Sequence, residues 1–245
     1  MSPVEDLVFV ACVSNLAVFQ ERLLASPCLQ RGGRRLITHH NAPSAADAFN
    51  SAMAGLGQDS KSPWLVWVHQ DVYLPEGWDT RFLQGLESAQ ALYPRLAVAG
   101  VHGIAGAGVL ARRAGHLLDR GQELQEPSAL PCLVDSMDEL LFAVRVGSGL
   151  RLDPALGYDF YGTDVVLKAR EAGLQSAVMD AYCEHWSDTP TGGAIPANLV
   201  QRILASASVF ESKWQHRFPI TTSCFDIAAT GDVQKFVDQF VEPVL

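Results

Sequence analysis

Short apolar runs, each followed by a helical pattern, recur through the first hundred residues and narrow the folds open to this chain. Leu7–Val13 is apolar throughout and stops at Ser14 and Asn15. Arg35–Thr38 is a second short run, ending in His39, His40 and Asn41; Trp64–Val68 is a third and Arg95–Gly100 a fourth. Between them lie helical patterns over roughly residues 16–26, from Ser44 through Ala45, Phe49 and Met53, and over Gly77–Tyr93. Strands apolar on both faces predict a mainly parallel sheet covered by helices on each side. The expected fold class is therefore α/β, with three α/β/α layers.

The second half is less regular. The glycines between 100 and 108 predict turns that need positive φ, in preference to a phosphate cradle. Residues 111–130 are polar and read as an excursion or flap, and Leu140–Val146 is strand-like. A helix over 162–173 ends at a glycine cap. A strand near 175–181 then leads into Cys183–Ser187, and a last helix covers Asn198–Arg217. No internal repeat or low-complexity linker interrupts the chain. In residues 221–245 an amphipathic pattern of Val233, Phe236, Val237, Phe240 and Val241 predicts a helical extension. It packs on its own core or, alternatively, forms a homodimer contact.

With 245 residues, 48% of them hydrophobic and 18% charged, the chain has material for one large core. Its net charge of −9 argues against binding nucleic-acid backbones or anionic membrane surfaces. Nucleotides stay open, because a divalent cation lets an acidic protein hold them. The five cysteines are odd in number and widely spaced, as expected of reduced cytosolic thiols. Met1–Asp6 carries acids where a signal peptide would carry bases, and Leu7–Val13 is too short to span a bilayer. The expectation is a cytoplasmic protein with no membrane span.

Ligands of α/β sheets sit at the carboxyl ends of the strands. Ser14, Asn15, Asn41 and the trio His69, Gln70 and Asp71 all fall there. The apolar run Trp64–Val68 ending in an imidazole and a carboxylate calls for partners. His69 and Asp71, with His185 far downstream, have the ligand types of an Fe(II)/2-oxoglutarate oxygenase. Those enzymes use β-sandwich barrels and an arginine about ten residues past the distal histidine; here the first arginine beyond His185 is Arg202. A second reading gives Asp71 and His185 a divalent cation, Mn²⁺ or Mg²⁺, that holds a nucleotide diphosphate. In a third, Asp71 caps the following helix and His185 is an ordinary loop residue.

Asp164 stands in the first turn of a helix, where the macrodipole favours it and Lys168 lies one turn on. It is either a structural acid or a general base for an acceptor hydroxyl. Val134–Glu139 is either a solvated acidic loop or a place where Asp135 and Asp138 bind acceptor hydroxyls.

Taken in order, Val68–Leu74, Asp153–Gly157 and Tyr161–Asp164 with Leu167 and Arg170 resemble the glycosyltransferase-like domain first named from streptomycin biosynthesis. That domain is a branch of the family-two glycosyltransferases with a GT-A fold. Ser14 and Asn15, the helix Ala45–Ala54 with Asn50, and Cys183–His185 fit the same pattern. The resemblance covers about residues 7–220. It implies a GT-A domain over 1–220, transferring a sugar from a nucleotide-diphosphate donor to a carbohydrate or other hydroxyl acceptor, with inversion. Asp71 resembles the last acid of the Asp-x-Asp metal element, His69 takes the place of its first acid, and His185 resembles the late metal histidine. Asp164 resembles the catalytic base, with Thr163 where the family has glutamate. Ser14, Asn15, Asn41, Asn50 and Gln70 fall to the nucleotide. The departures at His69 and Thr163 leave a rival, a catalytically silent GT-A domain that binds nucleotide or carbohydrate.

Overall fold

A computed structural model describes residues 7–30, 32–56, 64–187 and 196–240. Met1–Asp6 and Val241 lie outside the described residues. In chain order the first elements are β1 (Leu7–Val13), α1 (Leu16–Glu21), β2 (Arg35–His40), α2 (Ala45–Leu56), β3 (Trp64–Val68), β4 (Val72–Tyr73) and α3 (Trp78–Leu92). There follow β5 (Leu96–Gly100), β6 (His102–Ala105), β7 (Arg112–Asp119), β8 (Gln122–Gln125), β9 (Cys132–Leu133), β10 (Ser136–Met137) and β11 (Leu141–Arg145). The last are α4 (Tyr161–Glu171), β12 (Gln175–Val178), β13 (Cys183–His185), α5 (Ala197–Trp214), β14 (Ile220–Thr221), β15 (Asp226–Ile227) and α6 (Asp232–Val237).

The main sheet has seven strands in the order β2-β1-β3-β11-β5-β12-β9. Strands β1, β2, β3, β5 and β12 point one way. The sheet is nevertheless mixed, because β11 enters antiparallel between β3 and β5, and β9 runs antiparallel along β12. An apolar run marks β11 as a strand but carries no sign of its direction.

Alternate residues of the central strands serve opposite faces. Leu7, Phe9, Ala11, Val66 and Val68 pack with Trp78, Phe82 and Leu86 of α3. Val8, Val10, Leu65 and Trp67 pack with Phe49 of α2 and Val165 of α4. Every residue of β3 is buried, which accounts for the unbroken apolar run. Each large aliphatic side chain so buried stabilises the fold by about 1.5–3 kcal/mol. A third cluster joins Phe160 and Leu167 to Phe210 and Trp214 of α5 and to Ile227, Val233 and Val237. The segment after residue 220 thus holds a β14–β15 hairpin as well as a helix, and it packs on α5.

Residues 111–130 are not a flap. They contain β7, a central strand of a second sheet ordered β10-β6-β7-β13-β4, with β8 at its side. Its half-buried composition, with Ala114 and Leu117 inside and Arg112 and Arg113 outside, looks polar in sequence. Two glycines of the 100–108 stretch do take positive φ, Gly106 at 78° and Gly108 at 55°. Gly100 and Gly103 serve close packing instead: an added Cβ would lie 2.2 Å from Met137 Sδ and 2.5 Å from Ser136 O respectively. All five cysteines are free thiols. No helix among the described residues is long and apolar enough to cross a membrane.

Candidate functional site

Strand register assembles the site. His69 and Asp71 follow the end of β3, and β4 begins at once. Strand β4 pairs antiparallel with β13, placing Val72 opposite His185. On its other side β13 runs parallel to β7 and places His185 opposite Asp119. Two backbone bonds close this ribbon, Trp186 N–H to Asp71 O at 2.9 Å and Arg120 N–H to His185 O at 2.9 Å. Residues more than a hundred positions apart are thereby held side by side.

One ligand atom from each of His69, Asp71 and His185 lies within 4.8 Å of the other two. His185 Nε2 is 3.5 Å from Asp71 Oδ1, and His69 Nδ1 is 4.0 Å from the same oxygen. With metal–ligand bonds of about 2.0–2.2 Å, ligand atoms around one cation stand about 3–4 Å apart. The three side chains therefore fit a divalent cation. A second observation supports the fit: Asp71 Oδ1 is buried and has no hydrogen-bond partner. Buried carboxylate oxygens are expensive to leave so.

Each ligand is backed by further groups. The other nitrogen of His185, Nδ1, bonds Asp119 Oδ1 at 2.8 Å, which orients the ring so that Nε2 faces Asp71. His69 Nε2 lies 2.7 Å from Tyr161 Oη, which also receives the indole N–H of Trp67 at 3.1 Å. Tyr161 reaches that point because α4 begins hard against β10. A Cβ on Gly162 would lie 2.7 Å from Met137 O. Burial lowers the pKa of His69, against the pull of Asp71. Burial opposes the charge on His185 too, but its hydrogen bond to Asp119 and its ion-pair contact with Asp71 win and carry it up to about 9. Asp71 is held below the usual carboxylate range by the two imidazoles, against the effect of burial. Without a cation, a proton on His185 is the compensating positive charge.

His69 and Asp71 of the trio line a cleft of about 470 Å³ at the carboxyl ends of β1, β2 and β3, together with Ser14, Asn41, Gln70, Tyr158 and Arg202. Gln70 Oε1 accepts both the Ser14 and Asn15 N–H groups at 2.9 Å, and its amide donates to Ser14 Oγ at 3.0 Å. Arg202 crosses from α5 and forks onto Asp159 at 3.0 and 3.1 Å. A second cavity of about 200 Å³ has His69 as a shared wall and is lined by Asp138, Glu139, Asp159, Phe160 and Phe225. There Glu139 has its pKa raised well above the ordinary value by burial, then by Asp159 and Asp138.

Other sequence candidates lie elsewhere. Asp164 is fully buried behind α4, touching Lys213 at 2.6 Å, Lys168 at 2.9 Å and the Trp214 indole N–H at 2.9 Å. It lines neither cavity, which sets its position apart from that expected of an acceptor base. Asn50 uses both ends of its amide on the backbone of Leu152 and stands outside the cleft. Asn15 spends its carbonyl oxygen capping α1 at Ala17 and Val18. Asp135 accepts from Gly106 N–H and pairs with Arg170, away from the second cavity, whereas Asp138 faces into it. Sequence reading missed Asp119, Tyr161 and Arg202. Asp119 sits at the end of a strand taken for a flap, and nothing in the local pattern marks the other two.

No protein-family model matches the chain. Over 135 residues it is 26% identical to "ATP synthase subunits region ORF 6" of Fuscovulum blasticum, covering 51% of this chain and 52% of that protein. The chain thus spans about half the length of that relative. Among solved structures, A197 from STIV aligns with a TM-score of 0.46 at 12% identity, over 74% of this chain and 86% of its own. Residues 1–349 of S. aureus TarS align at 0.43 and 10% identity, over 86% of this chain and 73% of theirs. At these values the two structural likenesses carry no functional conclusion, and what is established is a mixed α/β protein with a His–Asp–His cluster at its strand ends.

Proposed function

We propose that the chain is a sugar transferase with a single three-layer GT-A domain. In this reading it uses a nucleotide-diphosphate sugar and a divalent cation, with inversion at the anomeric carbon. The observation that supports it best is the meeting of His69, Asp71 and His185 beside a cleft at the carboxyl ends of β1–β3. Two imidazoles and one carboxylate favour Mn²⁺ over Mg²⁺, which prefers an all-oxygen shell. When bound, the cation neutralises charge that builds on a leaving diphosphate. Arg202, in the same cleft, supplies a second positive charge. Ser14, Asn41 and Gln70 form the wall for the nucleoside.

The acceptor occupies the second cavity, where Asp138 binds its hydroxyls. Its hydroxyl oxygen attacks the anomeric carbon while the bond from that carbon to the diphosphate breaks, and the bonding electrons leave with the diphosphate. Glu139 takes the proton. A carboxyl at that wall is placed to act as a general base, typically worth about 10²–10⁴ in rate.

A thermal-shift screen of nucleoside diphosphates, with and without Mn²⁺, tests the reading. One diphosphate should raise the melting temperature only with Mn²⁺, increasingly as its concentration exceeds Kd. If none does, the transferase reading falls. Multiple turnover on a panel of nucleotide sugars then separates an active enzyme from a catalytically silent binder. Turnover of 2-oxoglutarate with Fe(II) would instead assign the cluster to the oxygenase class.

A further inference from the structure

On the second sheet, remote from the His–Asp–His cluster, a short finger between β6 and β7 carries Val109 and Leu110 at its tip. They are the two most exposed large apolar residues of the described chain, at 102% and 76%. The finger is a built turn. Leu110 N–H bonds Ala107 O at 3.2 Å and Ala111 N–H bonds Gly108 O at 3.0 Å. Gly106 N–H is fixed by Asp135 Oδ2 at 2.8 Å and Gly108 N–H by Thr221 Oγ1 at 2.9 Å. Gly106 has φ of 78°, and a Cβ there would meet Leu110 O at 2.8 Å. Folding therefore holds two apolar side chains out in water on a rigid support.

The surroundings are cationic although the protein is acidic. Arg112 and Arg113 follow the tip directly and are exposed. Beside the finger lies a groove of about 500 Å³ lined by Leu110, Arg170, His216 and Arg217, with Asp135 as its one carboxylate. Asp135 pairs with Arg170 at 2.8 Å, and Glu171 pairs with Arg217 at 3.4 Å and with His216 at 3.1 Å. With Asp226, which accepts from the Thr221 hydroxyl behind the finger, finger and groove hold four arginines against three acids. Exposed charges separated by more than about 8 Å are largely screened at physiological salt. The net charge of −9 spread over the molecule is thus compatible with a local cationic face.

We propose that this face docks on an anionic phospholipid surface, with Val109 and Leu110 entering the headgroup region and the arginines pairing with lipid phosphates. Charge complementarity selects the occupant. Apolar insertion flanked by arginine is how peripheral proteins hold bilayers, whose anionic phosphates lie level with the inserted tip. The inference is independent of the sugar-transfer reading.

Cosedimentation with sucrose-loaded vesicles tests it, comparing equal parts phosphatidylglycerol and phosphatidylcholine with phosphatidylcholine alone. The full chain should bind the anionic vesicles, and salt should weaken binding. Val109→Asp with Leu110→Asp should reduce binding about tenfold or more without lowering the melting temperature, because both side chains are solvated. Arg112→Gln should reduce it about fivefold, the effect of one basic residue near such a surface. Equal binding to both vesicle types, or full binding by the double aspartate variant, overturns the proposal. Binding abolished by millimolar glycerol phosphate would show a site for a free phosphate ester, and dimers dispersed by the double substitution without vesicle binding would show a self-contact. Either result also overturns it.

Discussion

Two acids, each picked out by sequence, end in opposite circumstances. Asp164 is closed on all sides: two lysine ammoniums and an indole N–H meet its carboxylate, and it has no exposure. Asp71 keeps about 20% side-chain exposure at the edge of a cleft, and its Oδ1 faces two imidazoles at 3.5 and 4.0 Å. Charge alone does not distinguish them. Each keeps one buried oxygen without a hydrogen bond, Asp71 Oδ1 and Asp164 Oδ2. The difference is that an ammonium stands 2.9 Å from Asp164 Oδ2, whereas the nearest cationic group to Asp71 Oδ1 is an imidazole at 3.5 Å, beside a cleft from which a ligand can enter. Lys213 shows the closed arrangement completed: it also bonds Asp153 at 2.6 Å, so one ammonium ties α5 to both α4 and the turn before it.

The contrast breaks first if the open acid proves dispensable. Asp71→Ala should lower Mn²⁺ affinity by more than the roughly 100-fold that loss of an outer hydrogen-bond partner costs, with cooperative unfolding retained. Titration calorimetry with Mn²⁺ reads this directly, and unchanged affinity would remove the cation from the site. The closed acid should behave in the reverse way. Asp164→Ala leaves two lysines facing a cavity and should destabilise the protein by about 3 kcal/mol, the lower end for a broken buried pair because both lysines reach solvent. Denaturant unfolding measures it, and Mn²⁺ affinity should stay within about twofold of the parent. A stable Asp164→Ala protein that has lost Mn²⁺ binding would reverse the assignment of the two acids.

The parts legible in sequence follow from how each signal is encoded. Burial on both faces leaves an unbroken apolar run, so β1, β3 and β5 and the rim at their carboxyl ends could be read directly, with His69 and Asp71 at one tip. Strand β7 opens with two exposed arginines and ends in Asp119, and it resembles a polar loop until its partner strands are known. Its misreading hid Asp119. Asp164 is ambiguous for a different reason: its first-turn position and its spacing to Lys168 suit a scaffold acid and a catalytic one equally, and its second lysine partner, Lys213, lies far downstream. Directions within the sheet are likewise invisible locally, because β11 has the composition of a buried strand whichever way it runs.

The smallest effect probes the support behind the open site. Asp119 bonds His185 Nδ1 and is itself held below the usual carboxylate range by His185 and Arg120, against the cost of burial. Asp119→Asn keeps the shape but removes the charge that aims and polarises the ring. Such changes lower metal affinity by about 10–100-fold, or about 1.4–2.7 kcal/mol. The same substitution has a second readout in the metal-free protein. The pKa of His185 is raised to about 9 in the fold, against an ordinary value of about 6.5. Its protonation therefore adds stability that is fully present below about 6.5 and is lost as pH rises through about 9. Asp119→Asn takes away one of the three carboxylates that raise this pKa, so the decline in stability across that interval should shrink. A substitution that merely loosened the β7–β13 pairing would lower stability by the same amount at every pH, and parallel stability–pH curves for the two proteins would show that Asp119 holds a strand in place without acting on the imidazole.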